Sequence, residues 1–297
     1  MKNEILIWTF FKNIFLESFS SNKKMEDSSL DHFFSTNKMY VAYPRLQLAG
    51  EGVCVAKNTQ TEEKCVVKII TEKKYAAGEL ILWRRELTHP SIIPYYNVDT
   101  IFTTTFIYMP RYDSNLKSYL LSIDVFKNDR LPYEKIRTIF LELCKPILFL
   151  HQNKIAHRDV KLENYLVRAD EKSGDIKIVL SDFGFAYDWN LAKENVDFFR
   201  IGSPVYMAPE LLILTVYNVW KPDVWALGVC LYILVYGKFP FCSQYRAILY
   251  EKIKKIEYSF PELSDSEEEL LNLNRVIESI LVVSSKRPSV EDVMKMF

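Results

Sequence analysis

Hydrophobic and polar positions change their spacing several times along the chain, and each change predicts a different kind of element. The N-terminus opens on an apolar run, Ile5 to Phe11, broken by Lys12 and Asn13 and resumed by Ile14-Phe15-Leu16. That run is shorter than the roughly 20 residues a spanning helix needs and carries no small-residue cleavage site, so no membrane anchor is expected. Three readings stay open: an interfacial or docking helix, a segment packed on the domain, or untranslated sequence joined ahead of Met25. Residues 20–38, rich in Ser, Asn, Asp and Lys, read as a linker.

From Tyr43 the pattern turns to strands. Leu46, Leu48, Val53 and Val55 alternate, Lys57 to Lys64 form a polar hairpin, and Cys65-Val66-Val67-Lys68-Ile69-Ile70 runs apolar around one lysine. Residues 74–87 have helical composition, Thr105 to Tyr112 read as a strand, and residues 132–154 form a long amphipathic helix. Its apolar face is Ile136, Ile139, Phe140, Leu143, Ile147 and Leu150. Asp175 to Leu180 is a further strand. The chain is thus expected to be α+β, with residues 1–42 an extension and linker and residues 43–297 one domain.

Composition narrows the function. Thirty-eight basic and 38 acidic residues cancel, which argues against nucleic acid as partner and leaves membrane contact only to an interfacial helix over residues 5–16. Five cysteines without a Cys-x-x-Cys pair read as reduced thiols, and so as a cytoplasmic or nuclear setting. No internal repeat is apparent.

The chemistry concentrates in His157-Arg158-Asp159-Val160-Lys161-Leu162-Glu163-Asn164, followed by Ser181-Asp182-Phe183-Gly184. Phosphoryl transfer to a hydroxyl needs a carboxylate to orient and deprotonate it, and oxygen ligands to hold Mg²⁺ on the ATP phosphates. The spacing assigns Asp159 as base and Asn164 and Asp182 as metal ligands. Lys68, inside an apolar strand, must point its amine at something anionic. At these motifs, and at Gly202-Ser203-Pro204-Val205-Tyr206-Met207-Ala208-Pro209-Glu210 and Lys221-Pro222-Asp223-Val224-Trp225, the sequence resembles the eukaryotic protein serine/threonine kinases. The run Asp223 to Phe241 and the stretch Tyr250 to Pro261 are most similar to the calmodulin-dependent and AMP-activated branch.

The resemblance implies a bilobal fold, with a small β-rich lobe over about 43–109 carrying one main helix, and a larger, mainly α-helical lobe over about 113–297. It implies ATP with Mg²⁺, or Mn²⁺ in its place, and protein substrates bearing Ser or Thr acceptors. Lys68 would meet the α/β-phosphates, Glu79 would pair with Lys68, and Trp83 would face inward one turn on. Lys161 would neutralise charge on the transferred group, and Ser203 would approach Asp159 and Lys161. Leu48, Gly50, Gly52, Val53, Val66, Tyr108, Met109 and Leu166 would line the nucleotide site, with Tyr108 as gatekeeper and Met109-Pro110 opening the hinge. Glu210 would pair with Arg287, and Asp223 would hydrogen-bond the catalytic-loop backbone.

Departures from the family pattern carry their own expectations. Val53 follows Gly52 directly, so the glycine-rich loop lacks its tip and third glycine, which implies weaker phosphate coverage. The segment from Asp182 to Glu210 holds no Ser or Thr before Ser203, so Glu194 or Asp197 is expected to supply the anion facing Arg158, with Tyr187 as an alternative acceptor. Glu163 is placed to contact a basic residue upstream of the acceptor, but Asn115 and Ile233 stand where further acidic residues would be needed, so arginine selection should be modest. Two other classes remain: a pseudokinase scaffold, favoured by the shortened loop, and a small-molecule phosphotransferase, disfavoured by Ala208-Pro209-Glu210 and the Asp223 helix.

Overall fold

The computed structural model describes residues 40–47, 52–58, 61–123, 131–169, 175–190, 202–213, 217–261 and 268–297. The readings for residues 1–38, Leu48, Gly50, Glu194 and Asp197 lie outside these. The chain divides into two compact units, one ending at Val67 and the other running from Lys68 to Phe297.

In the first unit, β1 (Tyr40–Gln47) and β2 (Val53–Asn58) pair antiparallel, with a register shift between Ala42 and Gln47. Gly52 enters β2 with φ +79°, a backbone conformation that glycine adopts without steric cost. The expected hairpin closes locally: the Asn58 side chain accepts the Thr61 N–H at 3.1 Å, and the Asn58 N–H donates to the Glu63 carbonyl at 2.9 Å. β3 (Lys64–Ile70) then runs across the division, with Cys65 and Val67 buried, and Lys68 opens the second unit.

In the second unit, the helix expected over 74–87 breaks in two. α1 (Lys73–Glu79) ends at Leu80, whose φ of −90° and ψ of 4° leave the helical range, and α2 (Ile81–Arg84) follows. Leu80, Ile81 and Leu82 fill the interior there, and Trp83 is 43% exposed, so its inward placement is corrected. The one-residue break at Leu80 re-aims the face, so that Leu80, Ile81 and Leu82 rather than the tryptophan are buried. β4 (Asn97–Ile101) and β5 (Thr104–Pro110) form an antiparallel pair in register from Asn97 opposite Tyr108.

β6 (Ser114–Asn115) leads into α3 (Leu116–Ser122), and α4 (Tyr133–Gln152) is the long amphipathic helix, its expected apolar face fully buried. Beyond β7 (Ile155–Ala156), the strands β8 (Tyr165–Ala169) and β9 (Ile176–Leu180) form with β6 a sheet of order β6-β8-β9. The segment Ser91–Ile93 lies along the end of β9: Leu180 N–H donates to the Ser91 carbonyl at 2.8 Å, and Ile93 N–H to the Leu180 carbonyl at 2.9 Å. β10 (Tyr187–Asp188) pairs with β7.

The short α5 (Glu210–Ile213) precedes α6 (Lys221–Tyr236), which is buried on every side from Pro222 to Val235, as a helix apolar all round must be. α4 and α8 (Glu268–Ile280) pack on α6, with α7 (Arg246–Lys255) between them in the chain. The approach of α8 requires Gly228: a Cβ there would stand 2.5 Å from Ile280 Cγ2. α9 (Val290–Met294) closes the chain under a Ser289–Asp292 capping box.

One ion pair locks this assembly as expected. Arg287, 2% exposed, reaches Glu210 with two parallel hydrogen bonds of 2.5 and 3.1 Å, and also donates to the carbonyls of Ile280, Lys221 and Val282. Every donor of a buried guanidinium needs a partner, and these contacts supply them. Arg287→Met should therefore lower unfolding stability by about 3–5 kcal/mol, because Glu210 is left charged in an apolar surround. Denaturant titration of the variant measures this, and a loss below about 1 kcal/mol would contradict the assignment.

Candidate active site

The loop after α4 is held from beneath by one carboxylate. Asp223, on the first turn of α6, accepts the backbone N–H of His157 at 2.9 Å and of Arg158 at 2.8 Å, together with His151 Nε2 at 2.9 Å. Burial pushes its pKa up, but the hydrogen bonds and the nearby imidazoles outweigh that, and it sits below the usual carboxylate value. Fixed in this way, Arg158 takes a left-handed φ of +68°, a backbone strain that only a firmly held loop sustains.

His157 carries the constraint onward. Its Nδ1 accepts the Asp159 N–H at 3.3 Å, so Nε2 bears the proton and donates to the Ser181 carbonyl at 3.2 Å. Its ring also meets the Phe183 ring edge-on at 5.0 Å. The loop carrying Asp159 and the segment carrying Asp182 are thereby joined through one imidazole.

Around Asp159 the sequence-assigned groups converge. Lys161 Nζ donates to Oδ2 at 2.5 Å and to Ser203 Oγ at 3.2 Å, and Asn164 Nδ2 donates to Oδ2 at 3.1 Å and to the Asp159 carbonyl at 2.8 Å. Ser203 donates its N–H to Oδ1 at 3.2 Å. Burial raises the pKa of Asp159, with Lys161 opposing.

A second cluster gathers on Lys68. Its ammonium donates at 2.8 Å to Glu79 Oε2 and at 2.8 Å to Asp182 Oδ1. Burial alone would lower the lysine's pKa, but the two carboxylates raise it, and the amine stays charged. Asp182 shows the converse: burial pushes it up, Lys68 pulls harder the other way, and it is held at about 2. Glu79 is thus the glutamate that meets Lys68. Glu79 is 1% exposed and receives a further hydrogen bond from the Tyr95 hydroxyl at 2.7 Å.

Gly78 makes this approach feasible. A Cβ there would lie 2.7 Å from the carbonyl oxygens of both Phe183 and Gly184, so only glycine lets α1 close on that backbone. Asp182 itself adopts φ +65°, turning its carboxylate toward Lys68.

Tyr108 and Met109 are buried in β5, and Leu166 is half-buried in β8. Val53 and Val66 are half-buried in β2 and β3 of the first unit and its continuation. Arg158 meets the Tyr187 ring at 5.8 Å and hydrogen-bonds the Tyr217 side chain. Sequence reasoning missed Tyr95, Gly78, His151 and Tyr217. No local period marks them, because each acts across a long chain separation.

Residues 48–297 match the family described as Protein kinase domain. The chain belongs to that family. Among similar curated proteins, the Sucrose non-fermenting protein kinase 1 of Fusarium virguliforme is 29% identical over 282 residues, covering 90% of this chain and 38% of that protein. The CBL-interacting serine/threonine-protein kinase 12 of Arabidopsis thaliana is 29% identical over 260 residues, covering 82% of this chain and 50% of that protein. The Carbon catabolite-derepressing protein kinase of Candida tropicalis is 28% identical over 253 residues, at 80% and 38%. The chain therefore spans half or less of the length of these relatives, and they bear out the branch expected from the α6 and α7 stretches.

Protein kinase domains use ATP and a divalent cation. Among the described residues no group of three or more His, Cys, Asp or Glu side chains is placed to hold a metal ion on its own. A carboxamide oxygen and an ionised carboxylate, Asn164 and Asp182, are hard oxygen donors suited to a cation that completes its shell with phosphate and water. The residues fit that group.

With Asp159 as the base, kcat/KM would be full above the Asp159 pKa and would fall as pH drops through it. Lys161 lowers that pKa. Lys161→Met should then move the acidic limb of the kcat/KM profile to higher pH, whatever it does to the plateau. An unmoved or lowered limb would contradict the coupling.

Proposed function

We propose that this protein kinase domain transfers the γ-phosphoryl group of ATP to serine or threonine hydroxyls of protein substrates. The observation that carries the reading is the joint placement of Lys68 on Glu79 and Asp182, with Asp159, Lys161 and Asn164 in one hydrogen-bonded cluster. A scaffold has no use for a charged lysine poised between two buried or half-buried carboxylates beside a buried base.

The residues divide the work. Lys68, anchored by Glu79, meets the phosphates of ATP and holds them in register. Asp159 accepts the hydrogen of the incoming hydroxyl, which aligns one oxygen lone pair with the phosphorus and takes up the proton as the bond forms. Lys161, already within 3.2 Å of Ser203 Oγ and 2.5 Å of the base, balances the negative charge that develops on the transferred group. Ser203 holds Asp159 from the far side. Mg²⁺, which we infer as the working cation with Mn²⁺ as a substitute, would be held by Asn164 and Asp182 and would neutralise phosphate charge.

Transfer from ATP to a mixed Ser/Thr peptide library tests this. Asp159→Asn should lower kcat by about 10²- to 10⁴-fold, the usual contribution of a positioned base. Lys68→Met should lower kcat/KM, with circular dichroism of both variants checking that the fold is kept. Transfer undiminished in Asp159→Asn, or none by folded wild type that binds nucleotide, would overturn the proposal, the second result in favour of a scaffold.

A further inference from the structure

The rim of the catalytic loop carries a charged cluster that the transfer chemistry does not use. Glu163, four residues after Asp159, has both carboxylate oxygens occupied from within the chain. Lys117 Nζ donates to Oε1 at 2.6 Å, and the Tyr206 hydroxyl donates to Oε2 at 3.0 Å. Lys117 comes from the first turn of α3, which packs against the 3₁₀ turn Leu162–Asn164. The two charged side chains are 26% and 29% exposed, so the pair is open to an incoming chain.

Its position is set by the loop. Tyr206 ends the short 3₁₀ turn that begins directly after Ser203, and Ser203 touches Asp159 and Lys161. The acceptor hydroxyl must be delivered to Asp159, and an extended peptide advances ~3.3–3.6 Å per residue. Side chains within about four residues of the acceptor therefore reach the Glu163 rim.

A bare carboxylate there would attract arginine or lysine. Here an ammonium at 2.6 Å cancels it, and an incoming basic side chain would have to displace Lys117 or stand against its charge. The two positions singled out from the sequence are not acidic. The Asn115 side chain is a neutral amide that caps α3, accepting the Ser118 N–H at 2.9 Å, and Ile233 is buried.

We propose that Lys117 is a specificity-determining residue: by pairing with Glu163 it cancels the carboxylate and removes the selection for a basic residue within about four positions of the acceptor. This rests on the phosphoryl-transfer reading above. The Glu163 position remains a charge reader, but the charge it presents is set by its partner on α3.

The test uses peptides sharing one serine acceptor and carrying Arg, Ala or Glu at each flanking position, read both as kcat/KM for transfer and as binding by fluorescence anisotropy. Wild type, Lys117→Met, Lys117→Gln and the double variant Lys117→Met with Glu163→Gln are compared. Wild type should show no preference for Arg over Glu. Each Lys117 variant should shift the Arg-to-Glu ratio toward Arg by roughly fivefold, the size of a partly exposed charge pair, and Glu163→Gln should cancel the shift. Wild type favouring Arg, or a ratio unmoved in both readouts, would overturn the proposal. Binding ratios that move as stated without any transfer would support it while counting against the phosphoryl-transfer reading alone.

Discussion

A carboxylate enclosed in an apolar helix must be answered by donors, and those that answer Asp223 are the backbone N–H groups of His157 and Arg158 and the ring of His151. The cost of burying that charge is offset only while the loop keeps its shape. α6 thus acts as a rigid core rod whose one acidic residue dictates the path of the loop His157–Asn164. The strained φ at Arg158 and the placement of Asp159 follow from it. His157 then passes the constraint to Ser181 and Phe183, so the segment bearing Asp182 is registered to the same rod.

The second requirement is electrostatic. Lys68 would lose its proton-binding preference if buried alone, and Asp182 would be pushed toward neutrality. Paired, each keeps the other charged, and Glu79 completes the set. Gly78 sets how closely α1 and its glutamate can approach the Phe183–Gly184 backbone. In this site, packing without a side chain does as much as any charged group.

Much of this was legible in the sequence because phosphoryl transfer demands fixed residue types at fixed spacings. The contacts of Lys68 with Glu79 and Asp182, of Arg287 with Glu210 and of Asp223 with the loop backbone are those the resemblance implied. The long helix α4 followed from its period. Trp83 did not: composition over 74–87 fits one helix, and only tertiary packing of Leu80, Ile81 and Leu82 decides that the helix breaks and the tryptophan faces out. Tyr95 and Tyr217 were invisible for a related reason, since a single tyrosine far along the chain signals nothing until the fold brings it to Glu79 or Arg158. Lys117 likewise looked like an ordinary surface charge at the start of a helix. Only the distance to Glu163 shows that it alters what the catalytic rim presents.

The account depends most on Lys68, Asn164 and Asp182 forming a nucleotide and cation site. ATP affinity, measured by calorimetry with and without Mg²⁺ in wild type and in Asp182→Asn, addresses that directly. Wild type should bind ATP more tightly with Mg²⁺ than without, and the difference should collapse in Asp182→Asn while the fold, followed by circular dichroism, is retained. The same Mg²⁺ dependence in both proteins, or no binding of ATP by folded wild type, would contradict it.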